Sequence, residues 1–572
     1  MWNEECGMKN VMISMIILAA MIYAACNSVE NPKDDIIDGN PVTPAVVSAP
    51  FSRGVNFSGW FETSDAQRIP FNQYTENDFI NVKSLGADVI RLPVRLHDMT
   101  NGSPDYQLAS IFLRLLDMAV NWAEKHQLYI IIDNHSFHPV NPTQSDIGKV
   151  LIPVWEQIAQ RYKNRSGYVV YEILNEPHGI PDDLWGEIQG RAIDAIRKYD
   201  QKHWIIAGGT DYNSFNKLTA IPKYKDPLLI YTFHYYDPFL FTHQGANWSP
   251  PLEHLSGVPF PYDPKRMPKV PLKLRGTWAE GGLQNYQQNA SANHLMDILD
   301  RVTAFSNERN VPVFCGEYGV FIPNSNNEDR VTWYEFITKA LDRRNISRTS
   351  WDYYGGFGIF NDGLKGDFYS DLNVDIVKAL GFNPPPQVAR NREPVKTGFS
   401  IFDDYTGSNM YAGFWGDDDA VFSFYDSNTA EGEYAIRCYN AGRYNSFWFA
   451  FERYADLSEL AAAGFAVEFK AKSDKSVQFD VRFIMPETDS SIPWRMSYPI
   501  DQFSLPPDGK WHTIRIPLNQ MHETGAWVNK TQTWHELKGE FSWANIVRLE
   551  FAAEHSELKG ATYWVDSIKI TR

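Results

Sequence analysis

Tyr171-Glu172-Ile173-Leu174-Asn175-Glu176-Pro177 closes an apolar run that begins at Tyr168. The run has strand composition. Pro177 has no N–H for a sheet ladder, so the strand read over 168–175 stops at Asn-Glu-Pro. Glu176 is left at the C-terminal tip of that strand. In a parallel barrel, the strand tips on that side are where chemistry is done. A catalytic reading therefore requires a second carboxylate at another tip.

The flanking sequence supplies the other strands. Gly54–Phe57, Ala87–Val94, Leu128–Asp133, Trp204–Gly208, Leu228–His234, Val311–Gly316 and Ser347–Asp352 are short apolar runs. Leu128–Asp133 lacks polar alternation, as expected where both faces of a strand are buried. Helical spacing is read over Thr75–Leu85, Leu108–His126, Gln144–Tyr162, Leu184–Tyr199, Ala290–Glu308, Glu328–Arg343 and Val374–Leu380. Eight strands mostly followed by helices predict a (β/α)8 TIM barrel over 51–382. No Gly-x-Gly-x-x-Gly follows the first strand and there is no P-loop, so a nucleotide-binding fold has no support.

Residues 383–397, which include Asn383-Pro384-Pro385-Pro386, have linker composition. From 398 to 572 the period shortens. Phe447–Phe451, Phe465–Phe469, Val477–Val481, Trp511–Ile516, Val547–Phe551 and Tyr563–Ile568 read as strands, and only Leu457–Ala463 as helix. The prediction is an all-β sandwich, jelly-roll-like, following the barrel.

A chain of 572 residues is long enough for two or three domains. Net charge is −17 and the pI about 5.3, which argues against nucleic acid as a partner. Aromatic residues make up 14%, including 18 Trp, which favours stacking on flat rings. The apolar run Val11–Ala25 is short for a membrane span and reads as a signal peptide over 1–26, with initiation at Met8. It ends Tyr23-Ala24-Ala25-Cys26, which resembles a bacterial lipobox except for Tyr23. Two readings stand: a surface lipoprotein anchored through Cys26, which is preferred, and ordinary secretion. Residues 27–50 are polar and proline-bearing, a tether. Cys315 and Cys438 read as core residues, with no disulfide framework or metal spacing.

The strand tips collect polar residues: Arg91; Asp133-Asn134-His135; Asn175-Glu176; His234-Tyr235-Tyr236; Gly316-Glu317-Tyr318-Gly319; and Trp351. Glu176 and Glu317 lie on strands four and seven, and two carboxylates flanking one bond are what glycoside hydrolysis needs. Ile90-Arg91-Leu92-Pro93-Val94, Leu174-Asn175-Glu176-Pro177, His234-Tyr235-Tyr236, Gly316-Glu317-Tyr318-Gly319 and Trp351-Asp352-Tyr353 together resemble glycoside hydrolase family 5, the cellulase-type family.

The resemblance implies that Glu176 is the general acid/base and Glu317 the nucleophile. It implies that Arg91 and Tyr236 hydrogen-bond Glu317 and keep it ionised, and that Asn175 binds the sugar 2-hydroxyl. His234 would lie near Glu176, while His135 and Trp351 would line the subsite on the non-reducing side of the cut. Physically, Glu176 faces a negative neighbour and is partly desolvated, so its carboxyl is expected to be pushed up. Glu172 shares the parity of Glu176 but lies four residues deeper, and reads as a structural carboxylate paired with a base. His138, His178 and His243 read as loop residues. Trp60 is open between sugar platform and core lid, and Trp248 and Trp278 are candidate stacking residues.

The sandwich resembles a jelly-roll carbohydrate-binding module, with Trp494, Trp527 and Trp534 as loop candidates for sugar contact and Trp448 and Trp511 as core. Asp403, Asp404 and Asp566 are its candidate calcium ligands. The function expected is a retaining endo-β-1,4-glycanase, foremost an endoglucanase (cellulase) acting on β-1,4-glucan, secreted or held at the bacterial surface. No metal or other cofactor is needed for catalysis. β-Mannanase and xyloglucanase activity stay open, as does a catalytically silent glycan-binding lipoprotein.

Overall fold

A computed structural model describes residues 42–572, apart from 364, 390–392, 408, 418 and 489–490 and the side chain of 453. The expected signal peptide and Cys26 lipobox, and residues 27–41 of the expected tether, lie outside the described residues.

Eight parallel strands close into a barrel: β1 Arg53–Asn56, β2 Val89–Val94, β3 Tyr129–Asn134, β4 Val169–Glu172, β5 Trp204–Gly208, β6 Leu229–Tyr235, β7 Val313–Tyr318 and β8 Ser347–Ser350. Each pairs with the next, and β1 closes on β8 through Gly54–Thr349 and Val55–Ser350. The main covering helices are α1 Glu76–Ser84, α2 Ser110–Lys125, α3 Gly148–Tyr162, α4 Asp182–Arg197, α5 Ala292–Arg309, α6 Asn327–Arg343 and α7 Val374–Ala379. No such helix follows β5; a single short turn at Thr210–Asn213 and a 3-10 turn at Phe215–Ala220 take its place. α1 starts at a capping box, with Thr75 N–H donating to Asp78 Oδ2 at 2.7 Å.

Side chains on a strand alternate sides, so residues two apart share the barrel interior. Val89, Ile131, Val170, Ile206, Ile230 and Phe314 form one apolar layer there, closed from below by Ala49 and Phe51. The tether's last residues are fixed to that underside. Ala45 N–H donates to Arg344 O at 2.9 Å and Val46 N–H to Asn307 Oδ1 at 2.8 Å. Backbone pairing of this kind carries no side-chain periodicity, so composition alone read it as free chain.

After the barrel, two antiparallel sheets face each other. One runs Met410–Trp415, Ser446–Ala455, Ile546–Ala552, Phe479–Ile484, Arg495–Ile500, His522–Thr524. The other is seven-stranded, and the long strand Thr562–Thr571 runs through it. Phe447, Phe449, Phe479, Phe483 and Phe551 fill the space between them. Trp494, expected at a loop surface, is only 2% exposed and donates from its indole N–H to Glu540 Oε2 at 3.2 Å. Trp448 and Trp511, expected in the core, are partly exposed. Two of the three candidate calcium ligands accept backbone hydrogen bonds. Asp404 Oδ1 accepts backbone N–H bonds from Glu433 and Tyr434, and Asp566 Oδ2 from Ala430 and Glu431. Cys315 and Cys438 are both free and buried. Among the described residues no helix is long and apolar enough to cross a membrane.

Candidate active site

Above the apolar layer the barrel interior turns ionic. Two residues beyond Val89, Ile131 and Val170 come Arg91, Asp133 and Glu172, all fully buried. Arg91 is the hub. Its Nε and Nη2 form a fork on Glu172 at 2.8 and 2.9 Å, and Nη2 also reaches Asn175 Oδ1 at 2.7 Å and Asp133 Oδ2 at 3.0 Å. Nη1 donates to Glu317 Oε1 at 2.8 Å and Asn56 Oδ1 at 3.0 Å. A buried guanidinium is tolerable only with its donors answered in this way. Burial opposes the charge, but Asp133, Glu172 and Glu317 more than compensate and hold the guanidinium well above its ordinary range.

Glu317 sits inside β7 and also accepts from Tyr236 O–H at 2.9 Å. The glycine before it is required by space: a Cβ on Gly316 would lie 2.9 Å from Thr232 Oγ1 and 3.1 Å from His234 Nε2. β4 ends at Glu172 rather than at Asn175. Asn175 N–H still reaches Asn134 O at 2.9 Å, whereas Glu176 turns out of the ladder with φ +47°. A glutamate in the left-handed region is uncommon and is typical of sites where the surroundings over-determine the backbone.

His234 joins the two carboxylates. Its Nδ1 is 2.7 Å from Glu176 Oε1 and 3.5 Å from Glu317 Oε2. Asn213 Nδ2 lies 3.4 Å from His234 Nε2, so the ring's single proton belongs on Nδ1, donated to Glu176. Burial pushes the His234 imidazole down to about 4, which keeps it neutral. Burial pushes the Glu176 carboxyl up to about 7, so it keeps its proton through the range where an ordinary carboxyl has lost it, with Oε2 left to hold it. One oxygen each of Glu176 and Glu317 and a His234 nitrogen lie within 4.8 Å of one another. These three are also the one His/Cys/Asp/Glu group among the described residues with metal-ligand spacing. Arg91, already on Glu317, disfavours a further cation there.

On the far side, His135 stacks on Trp351 with centroids 5.5 Å apart and planes 12° off parallel. Its Nδ1 bonds Asp133 Oδ2 at 2.6 Å and its Nε2 faces Asn175 Nδ2 at 3.4 Å. Burial disfavours its charge, but Asp133 outweighs that and the imidazole is held up to about 9. All eight residues predicted from sequence thus meet at one end of the barrel.

Sequence reading missed others. Asn56 completes the Arg91 shell, together with Asp133, which was read only as a strand-tip residue without a role. Glu62, in the loop after β1, lies 3.8 Å from His135 Nε2. His178, read as a loop residue, is buried; its Nδ1 lies 3.0 Å from the Glu176 carbonyl, and its ring stacks on Tyr212 at 4.3 Å. Tyr212 is 41% exposed, on the β4/β5 side opposite Trp351. Asp211, Tyr212 and Asn213 are consecutively left-handed, with φ of 60°, 62° and 53°. No sequence rule gives three such non-glycine residues, so neither the Tyr212 ring nor the Asn213 amide was legible. Trp60 is fully buried, its indole bonded to Phe71 O at 2.6 Å, so it belongs to the core. Trp248 and Trp278 are 41% and 53% exposed.

The family model for cellulase (glycosyl hydrolase family 5) matches residues 49–356, the barrel with all eight site residues. The chain belongs to glycosyl hydrolase family 5. Endoglucanase H of Acetivibrio thermocellus is 26% identical over 516 residues, covering 87% of this family 5 chain and 51% of that protein. Endoglucanase 3 of Fibrobacter succinogenes is 27% identical over 398 residues, covering 62% and 60%. Endoglucanase C of A. thermocellus is 27% identical over 338 residues, covering 55% and 95%. The chain thus spans about half to three-fifths of the length of the first two. The family 5 match ends within the loop after β8, and the likeness to endoglucanase H runs on into the sandwich.

Proposed function

We propose that the chain is a retaining endo-β-1,4-glucanase, a secreted glycoside hydrolase acting on β-1,4-glucan by double displacement. The observation that carries this reading is the carboxylate pair: one oxygen of Glu176 and one of Glu317 lie within 4.8 Å of each other, the first carboxyl held towards its protonated form and the second bonded to a guanidinium and a phenol. Retaining enzymes hold their carboxyl groups about 5–5.5 Å apart, and inverting enzymes keep about 6.5–9.5 Å for a water. In the first step Glu317 attacks the anomeric carbon while Glu176 gives its proton to the departing oxygen. With Glu317 esterified, Glu176, having given up its proton, faces less negative charge, stays ionised and takes a proton from the incoming water. Arg91 fixes Glu317 and Asn175 in one frame. The endoglucanase names of the relatives support β-1,4-glucan as the substrate.

The test is a product profile over soluble cellulose derivatives, β-mannan, xyloglucan and mixed-linkage glucan. Shortened β-1,4-gluco-oligosaccharides are expected. Cleavage of mannan alone would move the substrate, and binding without any product would end the hydrolase reading. A second expectation concerns pH. Because Glu176 must be protonated and its carboxyl sits near 7, kcat/KM should fall as pH rises through about 7. Glu176→Gln should remove that limb and cost about 10²–10⁴-fold on glucan, with a far smaller loss of glycosylation rate on an activated aryl cellobioside. A limb that persists in the variant would take the proton-donor role from Glu176.

The sandwich is proposed to bind glycan at the two-stranded ribbon Ala526–Val528 and Thr533–His535, which Arg495 Nε, bonded to Gly525 O at 2.8 Å, holds beside the six-stranded sheet. Trp527 and Trp534 are cross-strand partners, 42% and 45% exposed, and the Arg495 guanidinium lies 4.7 Å from the Trp534 ring. Trp534→Ala should weaken retention on a glucan affinity gel; unchanged mobility would argue against this ribbon. The setting outside the cell rests on the run Val11–Ala25.

A further inference from the structure

Lys365 lies in the loop after β8, in the stretch Asn361-Asp362-Gly363-Leu364-Lys365. Lysines are almost never fully buried unless paired, yet this side chain is only 6% exposed. Its ammonium has three donors and three acceptors: Asp78 Oδ2 at 2.9 Å, Gln73 O at 2.7 Å and Glu452 Oε1 at 2.8 Å. Gln73 and Asp78 belong to the segment between β1 and the first turn of α1. Glu452 belongs to the sandwich strand Ser446–Ala455. One buried cation thus ties the two barrel loops that flank the β8/β1 seam to the C-terminal domain.

From Lys365 a chain of direct contacts leads to the site. The ammonium lies 5.5 Å from the Tyr74 ring centroid. Tyr74 O–H donates to Ser58 O at 2.9 Å, and Ser58 Oγ donates to Asp352 Oδ2 at 2.7 Å. Asp352 directly follows Trp351, the ring that stacks on His135. The same loop after β1 carries Glu62. The sandwich grips it at a second place: Tyr425 O–H donates to Ile69 O at 2.7 Å and Ser423 Oγ to Gln67 Oε1 at 2.8 Å. The linker is tied down too, with Val388 N–H on Tyr369 O at 2.8 Å and Val395 N–H on Asp456 O at 2.8 Å.

We propose that the sandwich is a structural brace for the loops beside the cleft, and that Glu452, acting through Lys365, is a positioning residue for the Trp351–His135 side of the substrate site. The proposal rests on the hydrolase reading for its kinetic readout but not for its structural one. A module swinging on a flexible linker would leave the barrel's handling of small substrates untouched. Here, removing the Glu452 charge leaves Lys365 with one carboxylate instead of two and loosens both loops.

The test uses the full chain with Glu452→Gln, Lys365→Met and Lys365→Arg. Amide hydrogen exchange over 58–62 and 351–354 should quicken in Glu452→Gln. Exchange rates equal to the wild type would overturn the proposal whatever the enzyme's activity. With an aryl β-cellotrioside, too short to bridge to the sandwich face, Glu452→Gln should raise KM about three- to tenfold with kcat within about twofold. Lys365→Met should raise KM to a similar extent, whereas Lys365→Arg, which keeps the charge, should stay nearer the wild-type KM. A lower melting temperature with unchanged KM per folded enzyme would reduce Glu452 to a stabilising contact and overturn the positioning role. A wild type inactive on every glycan would instead defeat the hydrolase reading, leaving the exchange measurement to decide this one.

Discussion

Glu317→Gly is expected to lose about 10⁴–10⁶-fold in kcat on soluble β-1,4-glucan while retaining the wild-type fold. The fold should survive because Arg91 keeps Glu172, Asp133, Asn175 and Asn56 as partners when Glu317 is gone. Activity should not survive, because the other nearby carboxylates cannot substitute. Glu172 has both oxygens on the Arg91 fork and lies one layer deeper, and Asp133 is held by Arg91 and His135. Glu176 is the proton donor, and the same group cannot also attack. The space vacated by the side chain admits a small anion. With an activated aryl cellobioside, added azide should restore turnover and yield the α-glycosyl azide, since attack then comes from the face Glu317 occupied. Rescue giving a β-product, or no dependence on azide, would place the nucleophile elsewhere.

The second large effect is expected at Arg91. Arg91→Met leaves three buried carboxylates facing one another without their shared cation. Breaking a buried pair in this way costs about 3–5 kcal/mol, and it should show as a lower unfolding midpoint in denaturant. Catalysis should fall further than stability explains, by about 10²-fold or more per folded molecule, because Glu317 and Asn175 are both held by this guanidinium. Arg91→Lys separates charge from geometry. A lysine restores one positive charge but cannot span Glu172, Glu317 and Asn175 at once. It should recover much of the stability and little of the rate. Equal recovery of both would make Arg91 a simple counter-charge.

What the sequence made legible follows from where each signal resides. Barrel strands are buried on both faces, so runs such as Tyr129-Ile130-Ile131-Ile132 stand out as uninterrupted apolar segments, and their tips can be counted. His135, Asn175, Glu176, His234, Tyr236, Glu317 and Trp351 sit at or near such tips and Arg91 lies inside its strand, three residues short of the end, so strand register alone brings them together. Glu62 and Tyr212 sit on loops whose path depends on distant packing. Tyr212 needs three left-handed residues, and Glu62 needs a loop held by Tyr74, Ser58 and the sandwich. Tryptophan surface patches were misread for a related reason. Trp494 lies in turn-like sequence, but it is covered by its own domain and bonded to Glu540. The polar part of the contact between the domains was invisible: Lys365, Asp78 and Glu452 carry no periodicity that sets them apart from a solvated surface.

The central claim is that Glu317 carries the sugar through a covalent intermediate. The most direct measurement is to incubate the wild-type enzyme with an activated 2-deoxy-2-fluoro-β-cellobioside, digest it and sequence the labelled peptide by mass spectrometry. One fluorocellobiosyl group per chain, on Glu317 and lost on reactivation with an acceptor sugar, is the predicted result. Label on Glu172 or Glu176, or turnover with no covalent adduct and an α-configured first product, would contradict it.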